Sequence, residues 1–502
     1  MRRGIYFLTV FSVIFLIGCK KEIILSSENE ILSFEIPNIT NDVFVEGSNI
    51  YVSVYRNIDI RKLRPMIKVS KGARIYPPSG AITDFTYPVT YQVIAENGNI
   101  ATYKVMVSNT LSNQSDIRLF RLVGTDQIFE RVRDSIFIYV PYETDITNIQ
   151  TYIVVTDSVT ISPESGTPMN FTTPQTYTTT STDGTKRNYL VMVRKSPWKK
   201  VRSLPYSGGD GSGVVEFKGK IWVIGGWNYA TYHSQVWNSS DGVNWTRLPD
   251  APWQPRHCAG FVVYKDAIWV ISGRGYPDVW KSGDGINWTL VTDTAPWGRR
   301  YLPYVAVFKN KLWLMGGISW YDENGNEVLW GEGVQSFNDV WSSEDGENWT
   351  LETRAAPWSP RGLIHGYAVL NDELYIVGGG TKGALQATGG LNVTFSEYND
   401  VWKTSDGRNW HRVLQHAPWH TRVHHSLLSY NGYIVVLSGS AGDNWNFTND
   451  VWISSDGRNW KEIKYSFWQK SHATMLGGFD GKLWLLGGFY ITDIWSLDFK
   501  DL

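Results

Sequence analysis

Ile268-Trp269-Val270-Ile271-Ser272-Gly273, followed by Asp278-Val279-Trp280-Lys281-Ser282-Gly283-Asp284-Gly285-Ile286-Asn287-Trp288-Thr289 and then Pro296-Trp297, is the stretch on which the fold turns. Apolar runs of strand length alternate with tight-turn residues, and Asp-Gly supplies the left-handed conformations of a hairpin. Counterparts of the first run begin at Ile221, Leu312, Leu374, Ile434 and Leu483. A period of roughly 40–60 residues with four strand-sized runs is the pattern of a β-propeller. Five copies end in Asp-Gly-x-Asn-Trp, at Trp245, Trp288, Trp349, Trp410 and Trp460. The sixth reaches Asp493-Ile494-Trp495 without that ending. Pro197-Trp198-Lys199-Lys200-Val201 is expected to supply the missing strand, closing six blades and covering an open edge.

The repeats resemble the Kelch family. The matching residues are Gly225-Gly226, Gly316-Gly317, Gly378-Gly379 and Gly487-Gly488, with Ser272-Gly273 and Ser438-Gly439 as relaxed versions. The following Trp and the Arg opening the next repeat also fit. The Ser-x-Asp-Gly hairpins look like the Asp-box turns of sialidase propellers, where the Asp is a turn residue.

Upstream, residues 31–110 and 115–196 repeat each other at an offset of about 86 residues. Pro77, Phe85, Tyr91, Gly98 and Val107 match Pro163, Phe171, Tyr177, Gly184 and Val193. Short alternating runs predict one small β-sandwich per copy. The pair resembles the tandem immunoglobulin-like modules of outer-membrane lipoproteins and reads as a stalk. The expected fold class is therefore all-β: two sandwich modules, then a Kelch-like propeller over 197–502.

Arg2 and Arg3 precede an apolar run ending in Leu16-Ile17-Gly18-Cys19. The run is too short to span a bilayer and reads as a secretory signal over 1–18. Its end resembles the bacterial lipobox. That resemblance implies a lipid on Cys19, a tether over 19–30 and an outer-membrane location on the cell surface or periplasmic face. Cys258 is the one other cysteine, so no disulfide is expected in the mature chain. A net charge of −1 argues against a nucleic-acid partner.

All twenty-five tryptophans lie at or after Trp198, and twenty-one of them occupy repeat slots. Repeat slots mean packing between blades, with the Pro-Trp set at Trp253, Trp297, Trp358, Trp419 and its counterpart Trp468 placed nearest the top rim. Trp227, Trp320, Trp330 and Trp445 occupy none, and each follows strand two, on one face. Such rings suit stacking on sugars. Tyr229, Tyr232, Tyr276, Tyr321, Tyr398 and Tyr490 fall in the same loops, of which those at 318–339 and 380–400 are long enough to be functional. Arg256, Arg300, Arg361 and Arg422 open innermost strands, with Lys470 in that slot of the sixth repeat. They read either as a cationic ring for carboxylate or sulfate groups or as structural bonds to a neighbouring blade's carbonyl. His365, His424, His425 and His472 lack compact ligand spacing, so neither metal nor cofactor is expected.

The main reading is a lipoprotein binding a glycan or other extracellular ligand through the four tryptophans, the four arginines, His365 and His425. A carbohydrate-active enzyme of epimerase or lyase type competes, with His365, His425, Tyr301 or Tyr304 moving the proton. A protein-interaction scaffold is the third reading.

Overall fold

The computed structural model describes residues 26–37, 39, 41–55, 58–111, 116–157, 159–181, 184–206, 209–228, 230–321, 335–382, 395–442 and 446–501. Cys19, Tyr229, Trp330, Trp445 and most of the two long loops lie outside them. The chain is all-β, as its alternating runs require. The only helical turns among the described residues are the short 3-10 segments Ile60–Lys62 and Phe499–Asp501. No helix among them is long and apolar enough to cross a membrane.

Two compact units divide the chain. One comprises the described residues through Phe120 with Ile153–Ser162 and Thr178–Arg187; the other comprises Arg121–Tyr152, Pro163–Tyr177 and the described residues from Asn188 onward. In the first unit, Asn49–Tyr55 pairs antiparallel with Asn41–Glu46 and parallel with Ile100–Leu111. Its alternate residues Ile50, Val52 and Val54 point into a core with Phe34, Phe85 and Tyr91. In the second unit, Ser135–Val140 pairs antiparallel with Ile128–Val132 and parallel with residues 190–195. The pairs Val52 with Val107 and Ile138 with Val193 are the same pair one sequence repeat apart.

Among the described residues, the repeats from Trp198 onward form six antiparallel sets of four strands. The fourth and fifth are joined into one eight-stranded sheet by a parallel pairing of Ile364–Leu370 with His425–Tyr430. The sixth set takes Trp198–Ser203 as its outer strand, paired with Asp493–Asp498. The first strands meet in sequence: Gly213–Phe217, Gly260–Tyr264, Tyr304–Phe308, Ile364–Leu370, His425–Tyr430 and Leu476–Phe479, which returns to Gly213–Phe217.

Two contacts repeat between neighbouring sheets. In the first, each Asp-Gly hairpin lies on a ring from strand two of the preceding repeat. A Cβ on Gly285 would fall 2.2 Å from the Trp222 indole, one on Gly346 2.1 Å from Trp269, and one on Gly407 2.1 Å from Trp313. Gly242 meets Trp484 in the same way, so the first repeat rests on the sixth. Glycine is thus demanded by the neighbour's indole as well as by positive φ. In the second contact, rings meet edge to face at Trp253–Trp288, Trp297–Trp349, Trp358–Trp410 and Trp419–Trp460. Trp198 completes the set against Trp468, and Tyr206 against Trp245. Such pairs contribute about 0.5–1.5 kcal/mol each beyond burial. The Pro-Trp rings are all buried, so their expected place near the top rim is corrected to the space between sheets.

The four repeat arginines are also corrected. Arg256, Arg300, Arg361 and Arg422 are at most 2 % exposed. Each forms a forked ion pair with the Asp two residues before the strand-three Trp, Asp278, Asp339, Asp400 and Asp450 respectively. Each also donates to the carbonyl ending strand two of its own sheet, at Ser272, Gly316, Gly378 and Ser438. The bonded carbonyl belongs to the same sheet, where the structural reading placed it on a neighbour. The paired Asp accepts the indole N–H of Trp280, Trp341, Trp402 or Trp452. Tyr276, Phe337 and Tyr398 cover a face of the first three guanidiniums. These donors are spent inside the sheet and form no cationic ring for a ligand.

Removing one partner of a buried pair strands the other charge, which costs about 3–5 kcal/mol. Asp278→Ala is expected to lower unfolding free energy by that amount in chemical denaturation. Asp250→Ala, which breaks the exposed Arg247–Asp250 pair, should change it by less than about 1 kcal/mol.

Candidate functional site

In four repeats the residue that follows the Gly-Gly or Ser-Gly pair is brought beside a residue two or three places before strand one of the same sheet. Gly225 and Gly226 have φ of 64° and 119°, and a Cβ on Gly226 would sit 2.1 Å from Ser212 Oγ. The bend lets Trp227 bridge to Asp210. Tyr301 with Ile318, Gly362 with Gly380, and Val423 with Ser440 repeat the arrangement. One end of the sheet cycle therefore collects two classes of residue: those just after strand two and those just after the repeat arginine.

Aromatic rings dominate that end. Trp227 lies between Tyr232 and Phe489, with centroids 6.2 and 6.4 Å away, both stacked. Tyr232 meets His257 at 4.8 Å, His257 meets Tyr301 at 5.9 Å, and Tyr301 meets Trp320 at 3.9 Å. In the other direction Phe489 meets His472 at 4.4 Å, and His472 meets His424 at 5.3 Å. His365 follows, its Nε2 3.5 Å from His424 Nδ1. The belt thus draws on all six repeats. Trp227, Tyr232, Trp320 and Phe489 are half-buried, leaving ring surface for a ligand. Inside the belt a narrow cavity of about 50 Å³ is lined by Gly213, Gly260, Val305, His365 and Thr474.

Asp210 stands out electrostatically. It is 7 % exposed, and its Oδ2 lies 3.7 Å from His472 Nε2, beyond hydrogen-bond range. Burial raises its pKa to about 7. Burial of Tyr301 raises its phenol far above the usual range, with Tyr232 and Cys258 adding to the effect and Arg274 opposing it.

Trp227 and Trp320 are thus placed in the belt, whereas Trp330 and Trp445 lie outside the described residues. His365 reaches the belt and the cavity; burial pushes its pKa down to about 3. His425 does not reach the belt. It is 1 % exposed with Nε2 on the Val377 carbonyl, and burial followed by the Arg422 charge brings it to about 3. Tyr304 is likewise internal, bonded to the Tyr375 carbonyl and the Ala368 amide. Both therefore leave the set of mouth residues. Sequence reading passed over Asp210, His257, Arg274 and Phe489. One signal was available: the positions one or two places after the repeated Arg, or after Lys470 in the sixth repeat, differ from copy to copy, as His257, Tyr301, His424 and His472 do.

Comparison with known families finds one model, described as SGBP, N-terminal, which matches residues 31–107 and again 117–193. It suggests a surface glycan-binding protein family for those two modules. The two matches coincide with the internal repeat and stop short of the six-sheet region. Comparison with curated proteins gives no match.

Proposed function

We propose that this is a surface glycan-binding lipoprotein whose six sheets are the blades of a Kelch-type propeller. In this reading residues 1–18 are the export signal, Cys19 carries the lipid and 19–30 form the tether. Residues 31–110 and 115–196 are immunoglobulin-like modules that hold the propeller, 197–502, away from the outer membrane. The supporting observation is the aromatic belt at one end of the sheet cycle, in which half-buried Trp227, Tyr232 and Trp320 share one rim. Apolar sugar faces stack on such rings while hydroxyls find polar partners. The tandem match to the surface glycan-binding module agrees with it.

A second reading, a carbohydrate-active enzyme, is favoured by one observation. Asp210, a buried carboxyl with a pKa near 7, lies beside His472 at the rim, as a proton-transfer group would.

Three outcomes follow. A glycan array probed with the soluble chain should return a ligand. Trp227→Ala and Trp320→Ala should each weaken it about five- to ten-fold by calorimetry. A folded chain that binds nothing on a broad array would remove the glycan reading, and tryptophan variants that bind a verified ligand normally would remove the aromatic belt as its site; product formed from the bound ligand would favour the enzyme. Cys19→Ser should move the protein from the membrane to the soluble fraction, since the lipid's buried methylenes hold it there. For Asp210, the folded pKa is raised, so the folded state holds more protons than the unfolded chain between about pH 4 and 7. Stability contributed by the protonated form therefore falls as pH rises through that window. Asp210→Asn should melt higher than the parent at pH 8 and lose that share of the decline, as read by thermal denaturation across pH.

A further inference from the structure

Two arginines at the mouth remain outside the repeat ion pairs. Arg274 occupies the slot after Ser272-Gly273, which Trp227, Ile318, Gly380, Ser440 and Phe489 fill in the other repeats. It is the one charged residue there. Its backbone departs from theirs: φ is 45°, directly after 62° at Ser272 and 92° at Gly273. A bulky residue in the left-handed region is strained, and such strain is found where a side chain must be aimed.

The strained turn lays the Arg274 guanidinium on Tyr232, 3.8 Å from the ring centroid. It donates a long hydrogen bond, 3.5 Å, to the Pro255 carbonyl and a side-chain hydrogen bond to Tyr232. Arg299 lies 4.4 Å over Tyr321 in the same way. The two are linked through Gly275, where a Cβ would fall 2.3 Å from the Tyr321 ring and φ is 75°. Only glycine lets that ring close onto the turn that carries Arg274. Neither arginine has a carboxylate partner among the described residues, in contrast to the four buried ones. A guanidinium with one face on an aromatic ring keeps its N–H edge for paired donation to a planar or tetrahedral anion.

We propose that the mouth takes an anionic oligosaccharide, with Arg274 and Arg299 receiving its carboxylate or sulfate ester while a neighbouring sugar ring stacks on Trp227. This rests on the glycan-binding reading and narrows it to a ligand class. Tyr232 is the joint between the two halves: it carries Arg274 on one side and adjoins Trp227 and His257 on the other. Asp210, the acid that acts on Tyr232, is buried and uncharged through most of the range below pH 7.

Calorimetry on the full soluble chain tests it with three probes: an oligogalacturonate bearing only carboxylates, a sulfated galactan oligosaccharide bearing only sulfate esters, and a neutral maltooligosaccharide. One anionic probe should bind, and which one identifies the anion. Arg274→Ala and Arg299→Ala should each weaken it by about ten-fold or more, and added salt should weaken it further. Arg299 is exposed, so its variant folds whatever Arg274→Ala does. Binding of the neutral probe with both arginine variants unaffected and Trp227→Ala impaired would overturn the anionic class and leave glycan binding standing. No binding of any probe, together with an empty glycan array, would overturn both.

Discussion

A buried guanidinium clamped by a carboxylate is the interaction around which each regular sheet is organised. Arg300, which opens the third sheet, reaches the last carbonyl of strand two at Gly316 and the Asp339 carboxylate leading into strand three. Asp339 also holds the Trp341 indole. One side chain thus cross-links three strands at the end where the loops emerge. In a buried setting neither charge tolerates loss of the other. Asp450 shows the balance: burial raises its pKa, but the Arg422 charge and hydrogen bonds outweigh that and bring it to about 2.

With each sheet braced at that end, the faces between sheets are left to aromatic packing. The Asp-Gly hairpin of one repeat sits on the indole of the previous one, and an edge-to-face ring pair fixes the spacing. These contacts need no polar partner across the boundary, so they recur around the cycle. Where the chain lacks an Asp-Gly hairpin, in the sixth repeat, Phe499 stacks on Tyr433 of the fifth.

The mouth is built where this regularity lapses. The first repeat has neither member of the ion pair, and its strand-three indole at Trp237 bonds Gln235 instead. The segment freed from the clamp carries Asp210 and Trp227. The second repeat keeps its clamp at Arg256 but spends strain on Arg274. Departures from the repeat, more than the repeat itself, mark the proposed ligand surface.

Pattern alone determined much here. The Asp-Gly-x-Asn-Trp ending, present in five copies, with a sixth copy borrowing its last strand from Trp198, gave strand order and sheet number, because period and turn chemistry are local properties. It also set apart Trp227, Trp320, Trp330 and Trp445 as the rings outside every repeat slot. Only tertiary structure decided which charges were available. Arg256 and Arg274 are both arginines near a Gly, yet the first is spent on Asp278, 22 residues away, and the second lies half-buried over Tyr232, 42 residues before it, with no carboxylate partner among the described residues. Which carboxylate finds which guanidinium, and whether burial then silences a group such as His425 or raises one such as Asp210, depends on neighbours that no linear spacing records.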